Sequence, residues 1–358
     1  MSLERLLEAP PYALGRNERE PLLLTQLNAL TAHHRAHCPP YAQLAGLLHA
    51  SAPAARLADV PFLPVGLFKS HKLASVPDDA IFKTLTSSGT TSEEVSRVFL
   101  DRRTAELQSK ALAKIMGQVL GGKRVPMVIV DQKNLLKDRT AFSARGAGVL
   151  GMMNFGRDPF YALDEACALD LDGLKTYLHR HAGEPLLIFG FTFMVWQYLY
   201  RRIANLGLDL RGATLIHSGG WKKLQEEAVG NDTFKTALRK AAGIERVYNF
   251  YGMVEQVGSV FLEGEDGFLY APSFAEVIVR DPVSWREAPR GAVGVIQVLS
   301  GLPHSYPGHS ILTEDLGAIH GVDDGPCGRK GTYFRVVGRV PRSELRGCSD
   351  THAYRVQP

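Results

Sequence analysis

The chain has 358 residues, of which 45% are hydrophobic and 22% charged, which is the composition of an ordinary globular protein. Its formal net charge of +4, with no run of Lys or Arg, is too small to indicate nucleic-acid binding. The four cysteines are far apart and form no CxxC pair. We therefore predict reduced thiols in the cytoplasm rather than a disulfide scaffold.

Neither a signal peptide nor a membrane span is indicated. The N-terminal sequence MSLERLLEAPPYALG lacks the basic and apolar regions of a secretory signal. The most apolar stretch, 185–200, contains Gln197 and falls short of the ~20 residues that a transmembrane helix needs. We therefore expect a soluble protein.

The apolar residues of the first two thirds alternate between helical and extended patterns. Helices are predicted over 19–50, interrupted at Cys38-Pro39-Pro40, and over 104–120. Predicted strands then cover 125–130, 186–189, 213–217 and 246–250. Helical patterns at 193–206 and 222–242 separate the last three. Strands that alternate with helices predict a layered α/β fold.

After residue 252 the pattern changes to short apolar runs separated by turn residues. The predicted strands cover 260–263, 267–270, 276–279, 293–298, 317–320 and 334–337. They predict a mainly antiparallel, β-rich portion that completes the chain.

A hydroxyl-rich segment at 86–92, Thr-Ser-Ser-Gly-Thr-Thr-Ser, is the strongest local motif. Six of its seven residues carry hydroxyls, and the glycine permits close approach of the backbone to a phosphate. The Walker pattern GxxxxGK[ST] is absent. From these residues alone, phosphate binding and an ordinary surface turn remain open.

A second segment, 248–256, ends an aromatic strand in Tyr251-Gly252 and places Glu255 three residues later. Such a carboxylate can hold Mg²⁺ that also contacts ATP phosphates. Taken alone, a solvated or helix-capping glutamate explains the pattern better.

The third segment, 312–317, contains Asp315 two residues before a glycine. An aspartate at a strand edge can accept hydrogen bonds from two ribose hydroxyls. The alternative is an ordinary aspartate-rich turn.

A fourth segment joins Gly338-Arg339 to Arg346-Gly347-Cys348. Arg339 can stabilise a nucleotide, and a cation close to a cysteine favours the thiolate. Spacing alone favours a tail cysteine without a function.

The order of these segments resembles the adenylate-forming superfamily of acyl-CoA synthetases, adenylation domains and luciferases. In detail it is most similar to the acyl-protein synthetase (LuxE-type) family. The matching segments extend over most of the chain, at 87–91, 189–192, 217–221, 251–256, 305–310, 313–317 and 346–348. The resemblance implies a large adenylate-forming domain over 1–337, with layered α/β sheets and a β-rich portion. A short tail at 338–358 then replaces the usual mobile C-terminal domain.

The resemblance also implies the cofactors, ATP and Mg²⁺, and a role for each matched residue. Glu255 is expected to hold Mg²⁺, Asp315 the ribose, and Arg339 to lie at a hinge near it. The ATP phosphates are expected at Ser87, Ser88, Gly89, Thr90 and Thr91. The adenine and carboxylate sites are expected at His217, Ser218, Gly219, Gly220, Tyr251, Gly252 and Met253. Phe191 and Phe193 are candidates for the acyl pocket, and Cys348 for the thiol that receives the acyl group.

Two features depart from the superfamily. Ser92-Glu93-Glu94 stands where the phosphate loop usually continues with a glycine and a later lysine, so another residue, such as Arg97, must supply a phosphate contact. Only residues 340–358 follow Arg339, too few for the mobile domain of an acyl-CoA synthetase. Coenzyme A is therefore a less favoured acceptor than a cysteine in the tail.

The resulting prediction is ATP-dependent conversion of a fatty or other carboxylic acid to acyl-AMP. Transfer to the Cys348 thiol and then to a partner, an acyl reductase, would follow. One alternative is an acyl- or aryl-CoA ligase, or a stand-alone adenylating enzyme, in which Cys348 is idle. The other is a catalytically silent nucleotide-binding scaffold subunit.

Two further patterns are set aside as unrelated to function. The GxGxxG sequence at 146–151 has no buried strand before it, as a dinucleotide-binding motif requires. His33, His34, His37 and Cys38 could approach a metal on one helix face, but no second pair of ligands is nearby. We interpret this histidine cluster as a solvated helix end.

Overall fold

A computed structural model describes residues 2–48, 52–87, 95–136, 144–221 and 228–340 of the chain. Helices α1 to α10 cover Ser2–Glu8, Arg16–His37, Pro39–Leu48, Leu67–Ser70, Arg102–Leu120, Ala144–Met153, Leu171–Arg180, Thr192–Met194, Arg201–Ile203 and Asn231–Ala242. A π-helical segment, Val195–Tyr200, joins α8 to α9. Strands β1 to β14 cover Leu63–Pro64, Lys83–Thr86, Arg97–Leu100, Val125–Gln132, Gly156–Leu163, Leu186–Phe191, Ala213–Ser218, Arg246–Tyr251, Phe261–Glu263, Leu269–Tyr270, Ala275–Arg280, Gly294–Ser300, Ser310–Val322 and Thr332–Arg339.

One continuous sheet runs through the described part of the chain. Its strand order is β11-β12-β13-β14-β10-β9-β8-β7-β6-β4-β5, and β1 pairs with β13 beside this path. Strands β4 to β8 are parallel, whereas the sheet is antiparallel from β8–β9 through to β11. The pair β2–β3 forms a separate hairpin. The predicted α/β portion and β-rich portion are therefore two parts of one sheet.

Both faces of the parallel strands are covered. On β6, Phe189 packs into a core shared with α2, α5 and α6, whereas Ile188 packs into a second core with α7, α10 and the π-helical segment. Successive side chains of a strand point to opposite faces, so strands buried on both sides need continuous apolar runs. This requirement explains why β4, β6, β7 and β8 were predictable from sequence.

Strand β5 was not predicted. It lies at the edge of the sheet and contains Asp158 and Pro159, both exposed. Proline is tolerated at a sheet edge, where its missing N–H leaves no bond unmade, so an edge strand need not look apolar. The hairpin β2–β3 and helices α1, α6 and α7 were also missed.

Three local interpretations are settled by the structure. The segment 146–151 lies inside α6, which agrees with setting the GxGxxG pattern aside. Asp315 lies within the long strand β13 rather than in a turn. The prediction of a solvated helix end was wrong for His34 and Cys38, which are both fully buried. His34 contacts Pro303 and His309 of the loop at 303–309. Cys38 lies beside Ala74 and Ser75.

No helix in the described ranges is long and apolar enough to cross a membrane.

Candidate active site

The carboxyl ends of β6, β7 and β8 lie side by side. Phe191 is in register with Ser218, and Ser218 with Phe250. One residue earlier, His217 is in register with Asn249. Ligands of open α/β sheets bind outside the carboxyl ends of the strands. This edge is therefore where the predicted adenine and carboxylate residues should meet a substrate.

His217 is buried and neutral. Its Nδ1 lies 2.9 Å from Oγ1 of Thr192, and that hydroxyl donates to the carbonyl oxygen of Ser218 at 3.2 Å. Because the hydroxyl has a single proton, it must accept from the ring, so Nδ1 carries the imidazole proton. Burial, helped by the charge of Lys235, lowers the pKa of His217 to about 3. The other nitrogen, Nε2, has no hydrogen-bond partner among the described residues.

Phe191 fills the space between two glycines. A Cβ atom built on Gly148 or Gly219 would lie 3.3 Å or 3.2 Å from the Phe191 ring, and Gly219 has a φ of +79°. Side chains at these positions would push the ring away. Phe193 instead packs against the second core, on the face of the sheet that α7 and α10 cover. The two predicted acyl-pocket residues are therefore not equivalent, and only Phe191 lies against Gly219.

Tyr251, Asp315 and Arg339 meet at one point. The Tyr251 hydroxyl donates to Oδ2 of Asp315 at 2.7 Å. Asp315 on β13 is in register with Arg339 on β14, whose Nε lies 3.4 Å from Oδ1 of Asp315. Arg339 Nη2 also lies 3.3 Å from Glu314. Burial and the neighbouring Asp315 carboxylate raise the pKa of Tyr251 well above its usual value, so the phenol remains a donor.

Glu255 lies in a short 3₁₀ turn after β8 and is only 5% exposed. Burial raises the pKa of this carboxyl, while hydrogen bonding from Ser96 and the charge of Lys69 oppose that rise. Ser96 is also joined to Ser87 by two hydrogen bonds, from Ser96 N–H to the Ser87 hydroxyl at 3.0 Å and from Ser87 N–H to the Ser96 carbonyl at 3.1 Å. Glu255 thus lies beside the base of the hydroxyl-rich segment.

Several predicted residues have a defined place without a polar role. Gly252 lies close to Val260, since a Cβ at Gly252 would lie 3.1 Å from Cγ1 of that residue. Met253 packs against the first core, and Gly220 is exposed. Ser88, Gly89, Thr90, Thr91 and Cys348 lie outside the described residues.

Four residues of the site were not assigned from sequence. Thr192 and Thr313 belong to matching segments but received no role; Thr313 accepts from the Asp315 N–H at 3.1 Å. Ser96 and Lys69 carry no local signal: Ser96 is positioned by the β2–β3 hairpin, and Lys69 by the pairing of β1 with the distant strand β13.

Comparison with solved structures shows the fold. Two structures of 2-hydroxyisobutyryl-CoA ligase superpose with TM-scores of 0.68 and 0.69 at 19% and 20% identity. Each match covers 92% of this chain, and 77% and 69% of the respective ligase chains. One ligase structure is an open conformation with 2-HIB-AMP and CoA, and the other is in the postadenylation state with 2-HIB-AMP. The predicted fold class is confirmed.

Proteins with similar sequences identify the family more closely than the fold does. The chain is 23% identical over 356 residues to a long-chain-fatty-acid--luciferin-component ligase of Vibrio harveyi, covering 95% of this chain and 89% of the relative. A protein of the same name from Aliivibrio fischeri is 22% identical over 316 residues, covering 84% and 79%. The family model described as acyl-protein synthetase, LuxE, matches residues 3–356. The chain belongs to the LuxE acyl-protein synthetase family, as predicted from its sequence motifs.

Proposed function

We propose that the protein activates a fatty acid with MgATP and passes the acyl group through Cys348 to a partner protein. A carboxylate oxygen attacks the α-phosphorus of ATP, the bond from that phosphorus to the bridging oxygen breaks, and pyrophosphate leaves. The Cys348 thiolate then attacks the acyl carbonyl carbon, and AMP leaves as the carbon–oxygen bond breaks. The final acceptor is an acyl reductase.

The contact of Asp315 with Tyr251 and Arg339 is the observation that carries this proposal. Each carboxylate oxygen has two acceptor positions, and the Tyr251 hydroxyl and the Arg339 guanidinium use one on each oxygen. One position on each oxygen remains for a ribose hydroxyl. Arg339 also brings positive charge to the nucleotide side of the site.

The residues around Glu255 fit a magnesium ion shared with ATP. Mg²⁺ prefers oxygen ligands and usually takes one or two protein carboxylates together with phosphate oxygens and waters. Glu255 is a buried carboxylate beside the Ser87 and Ser96 pair, where the hydroxyl-rich segment begins. When bound there, Mg²⁺ would neutralise phosphate charge. Glu255 would hold it in place.

The strand ends beside His217 support an apolar acid as substrate. A neutral imidazole, the Phe191 ring and nearby aromatic rings offer little to a charged acyl chain. The His217 and Phe234 ring centroids are 4.5 Å apart, and Trp196 and Trp221 pack against Phe234. The names of the two relatives, which specify a long-chain fatty acid, favour the same class.

Cys348 is close enough in sequence to serve the site. It follows Arg339 by nine residues, and an extended segment of that length reaches roughly 30 Å. The chemistry requires a reduced thiol, for which a cytoplasmic location is suited. The described cysteines, Cys38, Cys167 and Cys327, are all unpaired thiols.

Carboxylate-dependent exchange of pyrophosphate into ATP tests the activation step. We expect exchange with long-chain fatty acids, weaker exchange with aromatic acids, and no requirement for coenzyme A. Absence of exchange with every acid would favour the scaffold alternative. Formation of acyl-CoA without protein acylation would favour the acyl-CoA ligase alternative.

A further inference from the structure

Lys69 is positioned by a contact between distant parts of the chain. Strand β1 pairs in parallel with β13, with Leu63 opposite Ile311, and the Val65 N–H donates to the Leu312 carbonyl at 2.9 Å. Helix α4 follows directly and carries Lys69. The strand that holds Asp315 thereby fixes the start of α4.

The neighbouring residue locks α4 in place. Phe68 is fully buried, and its ring packs edge-on against the Tyr306 ring at a centroid distance of 6.4 Å. Tyr306 accepts a hydrogen bond from Gln108 at 3.1 Å. With Phe68 anchored in the core, the adjacent Lys69 side chain remains partly exposed.

Tyr306, against which Phe68 packs, lies beside Glu255, because a Cβ atom built on Gly308 would clash with both the Tyr306 ring and the Glu255 carbonyl oxygen. The charge of Lys69 also lowers the pKa of Glu255, against the effect of burial. In the described ranges, Lys69 forms no ion pair within 4 Å, whereas two comparable cations are committed elsewhere. Arg339 is paired with Glu314 and Asp315. Lys72, three residues after Lys69 and beyond the end of α4, is paired with Asp78 at 2.6 Å.

The acidic residues of the site require a positive charge nearby if a polyphosphate is to bind there. Glu255, Glu314 and Asp315 are acidic, and the hydroxyl-rich segment continues with Glu93-Glu94 in place of a later lysine. A polyphosphate approaching these carboxylates is repelled unless positive charge lies nearby. Lysine binds phosphate as a compact point charge. Lys69 supplies that charge beside the residue assigned to Mg²⁺.

We propose that Lys69, rather than Arg97 at the exposed start of β3, binds the β- and γ-phosphates of ATP, and pyrophosphate, in place of the missing loop lysine. This assignment rests on the proposed adenylation function. It makes Lys69 a polyphosphate-binding residue supplied by the N-terminal part of the chain, ahead of the hydroxyl-rich segment.

Pyrophosphate exchange by Lys69→Met, with Lys72→Met as the matched control, tests the assignment. Loss of a charge-assisted contact should raise the KM for ATP and for pyrophosphate at least roughly tenfold. Lys69→Arg should recover much of the loss, and Lys72→Met should behave as wild type. A non-hydrolysable acyl-adenylate analogue, an acyl-sulfamoyl adenosine, lacks the β- and γ-phosphates. Its dissociation constant should be unchanged in Lys69→Met.

An unchanged KM for ATP and pyrophosphate in Lys69→Met would overturn the proposal. Equal weakening of ATP and of the analogue would also overturn it, because the lysine would then serve the structure of the whole site. Thermal melting checks folding, and Lys69→Gln replaces Lys69→Met if the latter does not fold. If the wild type neither exchanges pyrophosphate nor binds the analogue, the adenylation function itself fails. If the wild type exchanges pyrophosphate and Asp315→Ala raises the KM for ATP, the adenylation function stands. The results for Lys69→Met then decide the role of Lys69 alone.

Discussion

The Tyr251 hydroxyl and the Asp315 carboxylate are joined at 2.7 Å across the change from parallel to antiparallel strands in the sheet. Tyr251 ends β8, the last parallel strand, and Asp315 lies within β13 of the antiparallel part. Two separate motifs, one at the end of the parallel part of the sheet and one in the antiparallel part, therefore contribute to one hydrogen bond. The rotamer of Asp315 is fixed by the tyrosine on one side and by Arg339 on the other.

Removing the hydroxyl should weaken nucleotide binding. Tyr251→Phe retains the ring that packs against Phe261 and Phe334. A hydrogen bond to a charged group contributes about 1.5–3 kcal/mol, so we expect the KM for ATP to rise roughly tenfold or more. The KM for the acid should change little.

A second tyrosine–aspartate pair provides the control. The Tyr270 hydroxyl donates to Asp266 at 2.5 Å, away from the proposed nucleotide site. Tyr270→Phe should lower the melting temperature without changing the KM for ATP. An unchanged KM in Tyr251→Phe, or an equal change in both variants, would contradict the role of the Tyr251–Asp315 contact.

Glu255→Gln should fold normally but lose most pyrophosphate exchange. The amide is a poor ligand for Mg²⁺. Burial already disfavours the charged form of Glu255, as its raised pKa indicates, so the neutral amide should not lower the melting temperature. Exchange is measured across a magnesium titration. Wild-type rates at saturating Mg²⁺ would remove Glu255 from the metal site.

Cys348→Ser should separate the two half-reactions. Activation of the acid needs no thiol, so pyrophosphate exchange should remain near the wild-type rate. Covalent labelling with radiolabelled fatty acid and ATP should be lost, and the wild-type label should be released by neutral hydroxylamine, which cleaves thioesters. Cys327→Ser is the control, since Cys327 is a partly exposed thiol in the described fold. Full labelling of Cys348→Ser would mean that another group accepts the acyl chain.

The buried histidine pair should make the fold sensitive to acid. His34 and His309 have ring centroids 4.9 Å apart and bond Ser75 and Thr31 at 2.7 Å and 2.9 Å. Burial lowers the pKa of His34 well below 6.5 and that of His309 to about 3. Both are neutral in the folded state, whereas the unfolded chain binds protons below its ordinary pKa of 6.5. The contribution of these two neutral histidines to the free energy of unfolding is therefore fully present above pH 6.5, and it is lost as the pH falls towards 3.

The measurement is the dependence of melting temperature on pH. His309→Gln should lower the melting temperature at neutral pH, yet flatten its decline between neutral and acidic pH. His179→Gln, at an exposed position on α7, should leave the slope unchanged. An identical slope in His309→Gln and wild type would show that the acid sensitivity has another source.

Much of the fold could be predicted from sequence because buried parallel strands require apolar runs. This reasoning did not predict β5, because a strand at the edge of the sheet tolerates a proline such as Pro159 and need not be apolar. The order of short motifs predicted roles for Glu255, Asp315 and Arg339, but it did not predict the hydrogen bond from Tyr251 to Asp315. Lys69 could not be found in this way, since its place depends on the pairing of Leu63 with Ile311, which no local pattern encodes.

Because the sheet is unbroken, the residues proposed to bind the acid and those proposed to bind the nucleotide are parts of one rigid structure. Hydrogen-bonded strands connect Phe191 on β6 with Arg339 on β14 through consecutive neighbours. Bending or shifting any one of these strands would therefore change the positions of Phe191 and Arg339 relative to each other.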